Sequence, residues 1–381
     1  MIVPDYRGGS IVNLMSSIIN ARGGKSPYPE AHMLPGKSLK GKKIVLFMFD
    51  GLGYWYLQKY GQGSFLQKNC KGRLTAAFPA TTPVGVTTYY TGLPPQQTAV
   101  TGWFSYFKEL GLVGTPIRHM SRFQQFPLGD IDKGPLGYLK KESFSYKIKG
   151  KCAVVIDKRI AFSPYNRIVS GKASIYPHKT LEGCIRQTIK AVNDGSFFTY
   201  AYWGDFDGLC HEIGYDRKKV KEHFLLLDRL LKRLAVTLRK KNTILIVCAD
   251  HGHMVTERKE RLWLSDHEKL NKTLIMPLCG EPRLPYCYIG MGKEKEFLSY
   301  VKENMSKYCI PIKGVDAIKK EWFGLFNPHP RLQERVGDYI LVMKDNFVFR
   351  DLMPGSKDKG HRGFHGGVSE KEMYVPLIVV S

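Results

Sequence analysis

The stretch Ile44-Val45-Leu46-Phe47-Met48-Phe49-Asp50-Gly51-Leu52-Gly53 decides how this chain folds. Six consecutive apolar residues leave no polar face, the pattern of a strand buried on both sides within a parallel sheet. The run then stops at an acid, so a carboxylate stands at the carboxyl end of a buried strand. Three further runs read the same way, at 152–156, 197–203 and 243–249. Between them, Leu181, Ile185, Ile189 and Val192 recur at helical spacing, as do Val220, Phe224, Leu227, Leu231, Leu234 and Leu238. Strands alternating with helices predict an α/β fold, a mostly parallel central sheet with helices on both faces. Sites in such folds gather beyond the carboxyl ends of the strands.

Composition sets the outer limits. Of 381 residues, 43% are hydrophobic and 24% charged, which excludes a disordered or fibrous chain. That length predicts one large domain with an insertion, or two domains. No run approaches the roughly 18 apolar residues of a membrane span. The eight cysteines are scattered without a C-x-x-C pair, and the first twenty residues show no secretory signal, so a reducing, cytoplasmic location is expected. Lys+Arg 58 against Asp+Glu 34 gives a net charge of +24, a field that attracts anions. After residue 249 the pattern changes: helices at 293–306 and 313–320 mix with short strands at 285–290 and 338–350. The main sheet resumes at 374–380. The expected division is a catalytic core of 1–254 and 358–381, with 255–357 as an inserted α+β cap.

Four polar segments stand where buried strands end or begin: Phe49-Asp50-Gly51-Leu52-Gly53, Asp205-Phe206-Asp207-Gly208-Leu209-Cys210-His211, Ala249-Asp250-His251-Gly252-His253 and Gly363-Phe364-His365-Gly366-Gly367. Singly, each has a plain reading as a cap or a hydrogen-bonded histidine. Together they gather carboxylates and imidazoles at one sheet edge, an uncompensated burial of charge unless cations sit there. Such a set suits two divalent ions, zinc first, with manganese or magnesium as alternatives. A fifth segment, Phe78-Pro79-Ala80-Thr81-Thr82-Pro83-Val84-Gly85-Val86, sets Thr82 before a proline at the start of a helix, as its cap. A hydroxyl there meets a helix N-terminus that favours phosphate. No G-x-S-x-G or P-loop pattern is present, so a metal is the expected activator of that hydroxyl.

In this order, the five segments resemble the alkaline phosphatase superfamily, and within it the type I phosphodiesterase/nucleotide pyrophosphatase family. The resemblance implies an alkaline-phosphatase-like sandwich and a metal-dependent hydrolase of phosphodiester or pyrophosphate bonds. One ion would be held by Asp50, Asp250, His251 and the Thr82 oxygen, the other by Asp207, His211 and His365. Thr82 would be the nucleophile and pass through a phosphothreonine. Asp205 would act behind the ligands; His253 and His361 match no ligand position. Tyr202 matches a position that stacks on a base. Two positions depart from the family: Trp103 stands where its nucleotide pyrophosphatases carry an asparagine, and Pro83 where they carry an aromatic residue.

The expected partner is therefore a small anionic phosphoester, a nucleotide among the candidates. Two other functions compete. One keeps the metals and hydrolyses a phosphomonoester or phosphonate; the other is a basic nucleic-acid- or membrane-binding protein with a degenerate site. The complete ligand set and the lack of a dedicated nucleic-acid module count against the latter.

Overall fold

The computed structural model describes residues 1–130, 133–355 and 357–381. Its centre is a seven-stranded sheet built from β1 (Lys43–Phe49), β2 (Cys70–Thr75), β3 (Cys152–Asp157), β4 (Ser174–His178), β5 (Phe198–Trp203), β6 (Thr243–Cys248) and β7 (Tyr374–Val380). The order across the sheet is β2-β7-β6-β1-β5-β3-β4. Strand β1 lies in the middle and pairs in parallel with β5 and β6. Six of its seven residues are buried, as the unbroken apolar run requires. Helices cover both faces. Helix Leu181–Asn193 starts at Thr180, whose side chain accepts the Gly183 N–H, and buries Leu181, Ile185 and Val192. The 22-residue helix Lys218–Arg239 buries Val220, Phe224, Leu227, Leu231, Leu234 and Leu238 and turns its Lys/Arg face outward.

The outer strands differ from the inner ones. Strand β4 pairs only with β3 and carries Pro177, which an edge strand tolerates because one side makes no ladder bonds. Strand β2, at the opposite edge, exposes Lys71 and Arg73. Strand β7 runs antiparallel to both β2 and β6, so it begins beside the end of β2, with Tyr374 opposite Thr75. That reversal matters: segments leaving β1, β2, β5 and β6 and the segment entering β7 all meet at one sheet edge.

The 255–357 stretch holds its own antiparallel sheet, Cys279–Glu281, Leu284–Cys287, Tyr339–Met343 and Cys309–Lys313 in that order. Leu264, Leu270, Phe297, Val301 and Met305 pack beside it on Leu341 and Phe349. The expected 293–306 helix is α-helical over Glu294–Tyr300 and widens to a π turn over Val301–Met305. A second excursion, unforeseen in the sequence, is the small sheet Ser105–Phe107, Leu112–Thr115 and Met120–Ser121.

Candidate active site

Strand register builds the site. Phe49 lies opposite Trp203 and Met48 opposite Cys248, so β1, β5 and β6 end flush. Asp50, the helix Asp205–Ile213 and Asp250 therefore emerge side by side. The Asp50 N–H donates to the Trp203 carbonyl at 3.1 Å and locks this edge. Asp207 and His211 stand four residues apart on their helix and share a face. His365 arrives from the segment entering β7. Thr82 opens the helix Thr82–Thr91, which approaches so closely that a Cβ on Gly85 would lie 2.3 Å from Asp250 Cβ. Only glycine allows that contact.

Two candidate ligand sets result. In one, Asp207 Oδ1 lies 3.5 Å from His211 Nε2 and 3.8 Å from His365 Nε2, and those nitrogens are 3.0 Å apart. In the other, His251 Nε2 lies 3.4 Å from Asp50 Oδ1, 3.5 Å from Asp250 Oδ2 and 3.1 Å from Thr82 Oγ1. A four-coordinate zinc with ligands at about 2.0–2.1 Å separates them by roughly 3.4 Å. Both sets fit.

Hydrogen bonding supports the same assignment. Each imidazole turns Nδ1 to a backbone carbonyl: His211 to Gly363 at 2.8 Å, His251 to Gly252 at 3.0 Å and His365 to Ala80 at 3.2 Å. That arrangement puts the proton on Nδ1 and frees Nε2 as a ligand. Asp50 Oδ1, Asp207 Oδ1 and Asp250 Oδ2, the oxygens aimed at the two candidate centres, are buried without a hydrogen-bond partner among the described residues. Burial, then the charges of Asp250 and Asp207, push the Asp50 carboxyl well above its usual range. Burial, then His251 and His211, hold His365 well below its own, so it stands neutral and able to ligate.

The remaining candidates are sorted by their contacts. Thr81, extended at φ −144° and ψ 151°, is the cap residue, and Thr82 is the first residue of the helix rather than its cap. Thr82 is 8% exposed, and the cluster opens to solvent mainly through His211 and Asp207, whose side chains are 24% and 15% exposed. Tyr202 donates its hydroxyl to Asp50 Oδ2 at 2.5 Å. Trp103 gives its backbone N–H to Glu281, and its ring lies 5.3 Å from the Arg118 guanidinium. Asp205 faces outward to Arg159 at 3.4 Å, away from the ligands. His361 stacks obliquely on His211, ring centroids 5.3 Å apart.

Sequence reasoning left His253 structural and missed Glu281. His253 Nε2 sits 2.8 Å from Asp207 Oδ1, and with Asp207 and His251 it makes a third group that could hold a metal ion. Its signal was its place two residues after His251. Glu281, buried and raised to about 8 chiefly by desolvation, accepts the Thr81 hydroxyl at 2.6 Å. No local pattern could reveal it, because its partner is 200 residues away.

A mostly parallel central sheet, with carboxylates, imidazoles and a threonine at a helix N-terminus gathered at one edge, is an alkaline-phosphatase-type fold. The chain belongs to the type I phosphodiesterase/nucleotide pyrophosphatase family, whose model matches residues 138–367. Among solved structures it is similar to murine ectonucleotide pyrophosphatase/phosphodiesterase 5, at 16% identity and a TM-score of 0.62 over 88% of this chain and 87% of that one. It is likewise similar to the human ectonucleotide pyrophosphatase/phosphodiesterase 5, at 16% identity and 0.63 over 89% and 87%. Phosphonoacetate hydrolase from Sinorhizobium meliloti, in complex with phosphonoformate, matches at 15% identity and 0.63 over 89% of both chains. A sequence search of curated proteins finds no match. No helix among the described residues is long and apolar enough to cross a membrane.

Proposed function

We propose that the protein hydrolyses phosphodiester or pyrophosphate bonds with two divalent ions, zinc first, and Thr82 as nucleophile. One observation carries the reading: three buried carboxylate oxygens without partners, each about a ligand's spacing from an Nε2 whose ring is already fixed through Nδ1. Left without cations, such oxygens would cost several kcal/mol. Ions held by Asp50, Asp250, His251 and Thr82, and by Asp207, His211 and His365, would supply Lewis acidity and lower the pKa of a coordinated hydroxyl or water.

The chain's own groups do the rest. Thr82 Oγ1 bonds to phosphorus as the bond to the leaving oxygen breaks; its proton leaves with the released alcohol or phosphate, and a phosphothreonine still carrying the substrate's other substituent remains. Water then cleaves that ester, restoring the hydroxyl and freeing the second product. Tyr202 holds Asp50 in place through its hydroxyl and, with Trp103, offers ring surface for the substrate's organic group. Residues 255–357 act as a cap on the core formed by 1–254 and 358–381.

A second reading, a phosphonate or phosphomonoester substrate, is favoured by Arg118. This exposed cation leans on Trp103 and makes no ion pair among the described residues, so it suits a substrate with one more negative charge. Metal analysis of the purified protein, followed by turnover of an aryl diester, an aryl monoester, a dinucleotide and phosphonoacetate side by side, decides. Diester or dinucleotide turnover above the other two supports the main reading; the reverse order replaces it.

A further inference from the structure

The hairpin Cys279–Glu281/Leu284–Cys287 of the insertion turns two charged side chains inward. Glu281 is 6% exposed and Arg283 1%. Glu281 Oε1 accepts both the Thr81 hydroxyl and the Trp103 amide N–H, each at 2.6 Å. Arg283 makes a two-pronged pair with Glu372, at 3.1 and 3.0 Å, and donates to the Phe347 carbonyl at 2.7 Å. Glu372 in turn accepts the Gly367 N–H at 2.8 Å, and its backbone carbonyl accepts the Gly252 N–H at 2.9 Å.

Each receiving group borders a site residue. Thr81 precedes Thr82, Gly252 follows His251, and Gly367 lies two beyond His365. Thr81 occupies the cap position, yet its side chain makes no capping bond; its hydroxyl is turned to Glu281 instead. Gly366 adopts φ +104°, and a Cβ there would lie 2.6 Å from Glu281 Cβ, so the ligand loop presses directly on the hairpin. A buried carboxylate–guanidinium pair adds little stability over a packed apolar pair. Its directional bonds are what an apolar pair lacks.

We infer that Glu281 and Arg283 are positioning residues: the hairpin clamps the nucleophile loop through Thr81 and the two ligand loops through Glu372. The inserted segment thereby sets the distance between Thr82 and the ligand sets. This inference rests on the proposed roles of Thr82 and the ligands.

The test compares Glu281→Gln, Glu281→Met and Arg283→Met in the full chain. Glutamine keeps an acceptor oxygen for both donors; methionine fills the volume without one. Thermal unfolding, zinc affinity by chelator competition, amide exchange in peptides covering 80–86 and 250–253, and kcat and KM on an aryl diester are measured. A displacement near 1 Å costs about 100-fold in rate, so Glu281→Met should lose kcat on that scale while KM barely moves, with faster exchange at 80–86. Arg283→Met should speed exchange at 250–253 and weaken zinc binding. Glu281→Gln should match the parent chain in both exchange and kcat. Parent-like exchange and kcat in Glu281→Met would overturn the clamp, as would equal losses in the Gln and Met variants. Should Arg283→Met fail to fold, the Glu281 pair still decides. If the parent chain cleaves no phosphoester but exchange responds as described, the clamp stands and the proposed reaction fails.

Discussion

Thr82 Oγ1 lies 3.1 Å from His251 Nε2, across the seam between the helix Thr82–Thr91 and the end of the strand Thr243–Cys248. The two residues are 169 apart in sequence, and Gly85 is what lets the helix come that near. The Thr82 hydroxyl lies beside two carboxylate oxygens, on Asp50 and Asp250, with no hydrogen-bond partner among the described residues, and it is not the helix cap.

Thr82→Ala tests that placement. Because Thr81 is the cap residue, losing the Thr82 hydroxyl should cost less than about 1 kcal/mol of stability. Turnover should fall by several orders of magnitude, with metal content unchanged. Diester kinetics and thermal unfolding on the same preparation check both halves; near-full activity would move the nucleophile elsewhere.

Removing the metal should have a signed pH signature. In the metal-free fold the Asp50 carboxyl is held well above its ordinary value, chiefly by burial. The folded chain then keeps a proton that the unfolded chain releases. Its stability contribution is present below the unfolded value of 3.8 and is lost as pH rises through the folded one. The melting point of the chelated parent, taken relative to chelated Asp50→Asn, should therefore be lower at pH 8 than at pH 5, a comparison that cancels the buried histidines whose pKa values are lowered and act the other way. Asp50→Asn should stabilise the chelated protein at pH 8 and weaken binding of one ion of two. A gap between parent and Asp50→Asn that is the same at pH 5 and pH 8 contradicts this account.

Much of the site was legible because its residues follow strands that leave unmistakable apolar runs. Asp50, Asp250 and His251 sit one or two positions past such runs, and Asp207 and His211 declare their helix by spacing. The edge strands Cys70–Thr75 and Ser174–His178 were not legible, since a strand solvated along one side mixes Lys, Arg and Pro into its pattern. The helix start at Thr82 was read one residue late as a cap, because Thr81 and Thr82 offer the same hydroxyl and only the backbone angles separate them. Glu281, Arg283 and Glu372 were invisible for another reason. Their meaning lies in partners 200 and 89 residues away, which no local period encodes.

Glu281 offers a second pH readout. Burial raises its carboxyl from 4.5 to about 8 in the fold without metals. Stability attributable to it is complete below pH 4.5 and declines as pH climbs towards 8. In chelated protein, Glu281→Gln should thus be the more stable form at pH 8, with the gap closing near pH 5. Chelation is essential to the design, because a dication at Asp207 would draw the proton off. Melting curves of both forms at the two pH values suffice, and an equal gap at both would refute the assignment.

The net charge of +24 yields the last expectation. Arg217 caps the helix Lys218–Arg239 just after the helix Asp205–Ile213, which carries Asp207 and His211. It lies 3.7 Å from Asp216, which also faces Arg362 at 3.9 Å, and Arg362 reaches Glu257 at 2.7 Å. The Arg362 N–H is bonded to the carbonyl of His211, so this basic rim adjoins a proposed metal ligand. Lys218 is 91% exposed in its side chain and its contact with Glu222 at 3.7 Å is a surface pair of little strength. Exposed cations beside a site raise the local concentration of an anionic substrate without touching the chemical step, and salt screens them over about 10 Å at 0.1 M. Reversing Arg217, Lys218 and Lys219 to Glu should lower kcat/KM for a charged dinucleotide far more than for a small diester, leaving kcat nearly unchanged. The loss should shrink as salt is raised. Equal losses on both substrates, or a loss indifferent to salt, would assign these residues to the surface alone.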